Sequence, residues 1–137
     1  MEKMLEKDII KGGGFLFNHP HFSEIFIPEE FNDEQKMMAK AAQDFIDKEV
    51  FPFVERIDAL EEGLMSSIMT KAGDLGLLGV CIPEQYGGLG MSFNTGMLIA
   101  DIVASTGSFT TAFGAHTGIG TLPLSLIHIS EPTRPLY

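Results

Sequence analysis

One long stretch of the sequence carries almost no charge, and it limits how the chain can fold. Between residues 86 and 123, with histidine counted as neutral, Asp101 is the only charged side chain in 38 residues. A helix on the surface of a protein normally has a polar face, and this stretch lacks the charged residues that would form one. We therefore expect its helices to be covered on most sides, by further domains of the same chain or by other subunits.

The upstream part of the chain is also predicted to be helical. Apolar residues recur there at three- and four-residue spacing, and no segment alternates as a strand would over a useful length. A helix is expected to begin after Asn32, which can cap it, and Pro52 interrupts it with a kink or a break. Gly63 then separates a second helical piece from a third helix, which Gly73, Gly76 and Gly79 shorten and end.

A turn region with the sequence VCIPEQYGGLG, residues 80–90, separates these helices from the last two. Ser92 or Asn94 can cap the next helix, which we expect to run from residue 95 to about residue 105. Another helical stretch is predicted from residue 109 to about residue 122. Because helix follows helix throughout, the predicted fold is all-α, an up-down helical bundle.

The composition argues against several classes of protein. The net charge is -10, with 9 Lys+Arg against 19 Asp+Glu, and no basic cluster of the kind that nucleic acid needs is present. Cys81 is the only cysteine, so no internal disulfide can form, and a reducing compartment, the cytoplasm, is predicted. Beside its apolar neighbours Cys81 is expected to be a small buried group. The uncharged residues 102–130 are too polar for a transmembrane helix.

No metal site is predicted. His19 and His21 form a His-x-His pair, but no further ligand cluster accompanies it. The predicted organisation is an irregular segment over residues 1–31, a helical domain over residues 32–123 and a C-terminal tail over residues 124–137.

A motif in the middle of the chain points to a family. The run KAGDLGLLGVCIPEQYGGLGMS, residues 71–92, resembles the signature of the acyl-CoA dehydrogenase N-terminal domain, in which a Gly-Leu-Leu-Gly-like step precedes Pro-Glu-x-Tyr-Gly-Gly-x-Gly. The run FGAHTGIGTLP, residues 113–123, is most similar to the very-long-chain and related bacterial long-chain members. The GGLG run is not predicted to bind phosphate, since no Lys-Ser/Thr follows it and no strand precedes it.

The resemblance implies a chemistry that lies mostly outside this chain. Full enzymes of the family resemble an α-domain, a β-domain and a second α-domain, usually as a homo-oligomer, with FAD among the domains. A glutamate in the later part removes a proton α to the thioester of a fatty acyl-CoA, and the flavin takes hydride from the β carbon. Electron-transfer flavoprotein is the implied partner. No catalytic or cofactor-binding residue is therefore assigned here, and the fragment alone is expected to be inactive and not to hold FAD.

The resemblance also implies that the helix after Gly107 forms part of the wall around the acyl tail. Small residues there would leave room for a long tail, in which each buried CH₂ contributes about 0.8 kcal/mol. The alternatives are that the glycines only allow close helix packing and that the histidine is an ordinary core residue. The candidate wall residues are Thr111, Gly114, Ala115, His116 and Ile119.

The resemblance and the residues together leave two functional interpretations. In the first, the chain is the N-terminal fragment of a flavin-dependent acyl-CoA dehydrogenase, with oxidases and flavin monooxygenases as relatives that share the domain. In the second, it is a stand-alone helical interaction module, since a fold does not fix a function. A stand-alone module should have polar residues on the outer faces of its last two helices. The lack of charge over residues 86–123 therefore favours the first interpretation, an enzyme fragment.

The tail is expected not to be natural protein. Its sequence LSLIHISEPTR, residues 124–134, resembles the in-frame translation of a transposon-type sequencing adapter, and Pro132 and Pro135 would break a helix there. Amplification of the source DNA across the Pro123 codon is predicted to give a different continuation, with apolar residues, a glycine and then a charged helix start. A genomic reading frame that encodes this tail followed by a stop codon would refute the expectation.

Overall fold

The computed structural model describes residues 10, 12–19, 21–121, 123 and 124, and most of the predicted tail lies outside them. The chain divides into two units, Met1–Asp33 and Glu34–Tyr137. In the first unit the Ile10 N–H donates to the Glu24 carbonyl (2.9 Å), and the rings of Phe26 and Phe31 pack edge to face. The described residues of this unit form short 3₁₀ turns at Gly12–Leu16, Phe22–Glu24 and Pro28–Glu30.

The second unit is built from helices. Its described residues contain no strand, and this confirms the all-α prediction. No helix in the described ranges is long and apolar enough to cross a bilayer. The α-helices are α1 (Asp33–Phe45), α2 (Val54–Asp58), α3 (Leu64–Asp74), α4 (Phe93–Val103) and α5 (Ser108–Gly114). Shorter π-helical and 3₁₀ stretches lie at Ile46–Val50, Phe51–Phe53, Leu77–Gly79, Glu84–Tyr86, Ala104–Thr106 and Ala115–Gly120.

The predicted break at Pro52 is present, and it takes the form of a change in helix type. The chain passes from α1 into the π-helical stretch Ile46–Val50, and the Phe51 N–H donates to the Ile46 carbonyl. Proline has no N–H to continue the α-helical ladder, so the 3₁₀ turn that contains Pro52 leads into α2 instead. Lys71 on α3 forms an ion pair with Glu49 (2.5 Å) beside this junction.

The core is centred on Phe109, whose side chain is completely buried on α5. Its ring lies 6.1 Å from that of Phe45 on α1 and 6.0 Å from that of Phe113, distances at which aromatic pairs attract each other. α5 packs against both α2 and α4. The other buried apolar residues are Ala42, Ile46, Val50, Ile57, Ile68, Ala72, Leu77, Val80, Ile99 and Val103.

The start of α4 is fixed by side-chain hydrogen bonds. Ser92 is the N-cap, and its hydroxyl accepts from the Thr95 N–H, as one of the two sequence alternatives predicted. Gln35 on α1 donates through its side-chain amide to the Thr95 hydroxyl (2.9 Å). α1 and α4 are therefore tied together where α4 begins.

The described residues of the second unit leave part of the surface of the last two helices uncovered. Phe93 and Met97 on α4 are 74% and 53% exposed, and Ile119 after α5 is 80% exposed. Each of these side chains is apolar, and none has neighbours in the second unit that remove it from water. The described residues of this unit therefore do not provide the cover that the sequence predicts for these helices.

Leu60, between α2 and α3, combines a left-handed backbone conformation (φ 57°) with an 86% exposed side chain. We predict that Leu60→Gly raises the free energy of unfolding by about 0.5–1 kcal/mol. The left-handed conformation costs a residue with a side chain about 1–2 kcal/mol. Glycine avoids this cost, but the larger conformational entropy that it loses on folding offsets part of the gain. Urea unfolding measures the change. The matched control is Leu75→Gly, at φ -81°, which should lower stability. Destabilisation by both variants would contradict the prediction.

Candidate functional site

The signature loop, residues 83–91, is clamped by backbone hydrogen bonds onto the turn that precedes it. The amides of Leu89, Gly90 and Met91 donate to the carbonyls of Gly79 (3.0 Å), Ile82 (2.8 Å) and Val80 (2.9 Å), respectively. Each bond gives a backbone amide and a backbone carbonyl a partner within the chain. The clamp therefore fixes the path of the chain between α3 and α4.

Gly88 allows this close approach. A Cβ atom at position 88 would lie 2.1 Å from the carbonyl oxygen of Ile82, far inside any contact distance. Gly87 and Gly90 have positive φ angles of 84° and 61°, which glycine adopts without strain. The glycines of the signature are thus explained by chain geometry, and Glu84 is exposed on the surface.

A cavity of about 340 Å³ lies between α4, α5 and the turn before the signature loop. Its floor is apolar and buried, formed in part by Val80, Ile99 and Val103. It opens beside Phe93 and Met97, which are exposed. Among the described residues, no charged side chain lines it. The full lining is Leu77, Leu78, Val80, Cys81, Ile82, Phe93, Gly96, Met97, Ile99, Ala100, Val103, Thr110, Phe113, Gly114, Thr117 and Gly118.

The polar atoms in the cavity wall are bound to the wall itself. The Thr110 hydroxyl donates to the Val103 carbonyl (2.5 Å), and the Thr117 hydroxyl donates to the Phe113 carbonyl (2.9 Å). Each hydroxyl thus donates its proton to a backbone carbonyl at the end of a helical turn, and not to a molecule in the cavity. The cavity therefore presents mainly hydrocarbon to whatever enters it.

Cys81 lines this cavity and is exposed, so the expectation that it is a buried group is wrong. Its sulfur lies against Gly96 of α4, where a Cβ atom would be only 2.7 Å from it. The thiol also contacts the Ser92 carbonyl at 3.7 Å. The missing side chain at Gly96 makes room for the sulfur, and the open cavity leaves the sulfur accessible.

The predicted wall residues lie on two faces of one helical segment. Thr111, Ala115, His116 and Ile119 are exposed and do not line the cavity, so they form an outer stripe along α5 and the π-helical stretch Ala115–Gly120. Gly114 is exposed too, but it lines the cavity. Gly114 and Gly118, which line the cavity, follow Thr111 of the stripe by three and seven residues, so the stripe and the cavity border each other along this segment.

Sequence reasoning missed the cavity as a feature. Thr110, Thr117 and Gly96 were not singled out, although Thr117 follows buried Phe113 by four residues and so shares its side of the helix. This spacing predicts that Thr117 lies beside Phe113 on the inner face of the helix. His19 and His21 are exposed, the His21 ring pairs with the Ser23 hydroxyl (2.8 Å), and the described residues contain no group of three or more metal-binding side chains.

The comparison with known families decides the assignment. The family model described as acyl-CoA dehydrogenase, N-terminal domain, matches residues 32–128. The chain belongs to the acyl-CoA dehydrogenase family. The match reaches five residues beyond Pro123, and the boundary of the predicted tail at residue 124 stays a prediction.

Two relatives within the acyl-CoA dehydrogenase family match most of this chain. A probable acyl-CoA dehydrogenase of Bacillus subtilis (strain 168) is 42% identical over 93% of this chain and 21% of its own length. A mitochondrial isovaleryl-CoA dehydrogenase of Solanum tuberosum is 29% identical over 87% of this chain and 30% of its own length. This chain thus spans roughly a fifth to a third of these acyl-CoA dehydrogenases.

A solved acyl-CoA dehydrogenase has the same fold. The enzyme from Bacillus anthracis, complexed with FAD, superimposes with a TM-score of 0.78 at 42% identity. The match covers 83% of this chain and 20% of that chain. The helical arrangement described above is therefore that of an acyl-CoA dehydrogenase N-terminal region.

The clamp generates a prediction for stability. Gly88→Ala should lower the free energy of unfolding by about 2–3 kcal/mol, because the new methyl group meets a backbone oxygen that cannot move without breaking the clamp. The control is Gly79→Ala in the same clamp, where the added Cβ makes an ordinary 3.5 Å contact and should change stability by less than about 0.5 kcal/mol. Chemical denaturation compares the two. Equal effects would show that the close approach at Gly88 does not matter.

Proposed function

We propose that this chain is the N-terminal α-domain of a flavin-dependent acyl-CoA dehydrogenase that oxidises a fatty acyl-CoA to the trans-2-enoyl-CoA. The observation that carries the proposal is the clamped signature loop, together with the family match over residues 32–128. The clamp sets α4 and α5 in place. The domain's contribution to the enzyme is then scaffold and acyl-tail wall, since no catalytic residue is assigned to it.

FAD supplies the hydride acceptor in this chemistry, and the FAD-complexed Bacillus anthracis structure supports its use by the parent enzyme. The cavity in the described residues does not suit it. A flavin dinucleotide carries a charged pyrophosphate, and no cationic side chain lines the cavity. We therefore assign FAD binding to parts of the full enzyme beyond these residues, and this chain alone is not expected to retain the cofactor.

The outer stripe is the proposed wall for the acyl tail. Ala115 lies in the middle of it, and a methyl side chain there leaves space that a longer side chain would fill. Apolar Ile119 continues the same exposed line. This arrangement favours long acyl chains, although the Solanum tuberosum relative is named for the short isovaleryl group, so family membership alone does not set the chain length.

The proposal extends to assembly and location. Phe93 and Met97 expose apolar surface on α4 that the second unit leaves uncovered, and such patches mark protein contacts. We assign them to the remaining domains or subunits of a homo-oligomer. Electron-transfer flavoprotein is the proposed electron acceptor, and the single cysteine is compatible with a reducing cytoplasm.

The full-length gene, recovered from source DNA, tests the proposal. The purified parent should carry flavin, and anaerobic addition of a long-chain acyl-CoA should bleach the flavin absorbance. A flavin-free protein, or a flavin that no acyl-CoA reduces, would overturn the proposal and favour the stand-alone helical module.

Chain-length preference gives a sharper prediction in the same parent. Ala115→Glu and Gly114→Gln should lower kcat/KM for long acyl chains about tenfold, because loss of contact with two CH₂ groups costs about 1.6 kcal/mol, and should leave short chains nearly unchanged. The matched control is Ala104→Glu, at an exposed alanine away from the stripe. Equal losses at every chain length would mean that these positions are scaffold.

A further inference from the structure

We propose that Asp58 is a positioning residue, which sets the direction of α5 and thereby the place of the outer stripe beside the acyl tail. The inference rests on the proposed function, because the stripe acts on a tail only if the parent binds one. Three observations carry it: the backbone at Gly107, the hydrogen bond from Ser108 to Asp58, and the fixed position of Asp58 at the end of α2.

The backbone at Gly107 leaves the angle between α4 and α5 adjustable. Gly107 has φ 57° and ψ -115°, a conformation that glycine adopts readily and other residues avoid. As the N-cap of α5, glycine has no side chain with which to bond the first turn of the helix. The Thr110 hydroxyl donates to the Val103 carbonyl, but this bond joins α5 only to the adjoining end of α4. A contact with a separate element can therefore fix the direction of α5.

Asp58 on α2 provides such a contact. The hydroxyl of Ser108, the first residue of α5, donates to the Asp58 carboxylate at 2.5 Å, across fifty residues of sequence. A hydrogen bond to a charged acceptor is stronger than one between neutral groups. Because both side chains are exposed, water competes for the bond and its net effect is modest. The bond ties the start of α5 to α2.

Asp58 is itself held in place by its neighbours. Ile57, beside it on α2, is buried in the core. The Glu61 N–H donates to the Arg56 carbonyl (3.1 Å), and the Arg56 guanidinium forms an ion pair with the Glu61 carboxylate. These two contacts close a turn around the end of α2. The Asp58 carboxylate is therefore a fixed point against which α5 is placed.

The stripe lies far enough along α5 to magnify a change of direction. Phe109, the residue after Ser108, is completely buried, and Ala115 follows it by six residues. At about 1.5 Å per residue, a change of about 10° in helix direction at Phe109 moves Ala115 by roughly 1.5 Å. A misplacement of about 1 Å can cost up to about 100-fold in rate. Loss of the bond should therefore affect long tails, which reach the stripe, and spare short ones.

The test compares kcat/KM for long-chain and short-chain acyl-CoA in the full-length parent. Asp58→Ala and Ser108→Ala each remove the bond and should lower the long-to-short ratio about three- to tenfold, as expected for one exposed hydrogen bond. Because both substitutions remove the same bond, the double variant should lose no more than either single variant. Asp58→Asn and Ser108→Thr keep an acceptor and a donor, respectively, and should hold the ratio within about twofold.

A second readout needs no activity. In the 137-residue chain the Thr111 N–H donates to the Gly107 carbonyl (3.4 Å), so exchange of this amide reports on the first turn of α5. Both alanine variants should speed that exchange about three- to tenfold. The matched control is Gln43→Ala, which removes an exposed side-chain bond to Asp47 (2.9 Å) at the end of α1. It should leave both the ratio and the exchange unchanged.

The outcomes separate the alternatives. Equal losses at every chain length, additive losses in the double variant, or unchanged exchange at Thr111 would overturn the positioning role. If Asp58→Ala does not fold, Ser108→Ala and Ser108→Thr test the same bond. A parent that oxidises no acyl-CoA, with the exchange response intact, would refute the proposed function and leave Asp58 as the residue that sets the direction of α5.

Discussion

The rest of the helical unit depends on three backbone hydrogen bonds, from the amides of residues 89–91 to the carbonyls of the turn at residues 79–82. They exist because Gly88 has no side chain to strike the Ile82 carbonyl. With the turn fixed, Val80 becomes the floor of the cavity and Ser92 is placed to cap α4. A signature that looks like a ligand-binding glycine loop thus acts as a structural clamp.

α4 and α5 follow the clamp along the chain. On α5 the side chains of Phe109 and Phe113 are buried in the core, and this divides the remaining surface of α5 into two faces. Its inner face borders an apolar cavity whose hydroxyls are bonded internally, and its outer face carries the exposed stripe around Ala115. The two faces suit hydrocarbon for different reasons. The inner face lines an open apolar cavity, whereas the outer face carries exposed side chains that include the small Ala115 and the apolar Ile119.

Much of the fold could be predicted from the sequence, because helix starts, the Pro52 break and the Ser92 cap depend on local chemistry. The family could be identified because the signature is a dense run of residues with geometric roles. The cavity could not be predicted, since it depends on the distance between α4 and a turn that lies fifteen or so residues earlier. The exposure of Cys81 could not be predicted for the same reason: it follows from the open cavity beside the sulfur, which the local apolar pattern does not report.

The clamp is tested most directly by amide hydrogen exchange at Leu89, Gly90 and Met91 in the 137-residue chain, with and without added FAD. If the signature loop is a structural clamp, these amides exchange as slowly as the Ile99 amide inside α4, and FAD leaves their rates unchanged. Rapid exchange without FAD, or protection that appears only when FAD is added, would contradict the account and make the loop a cofactor-binding element.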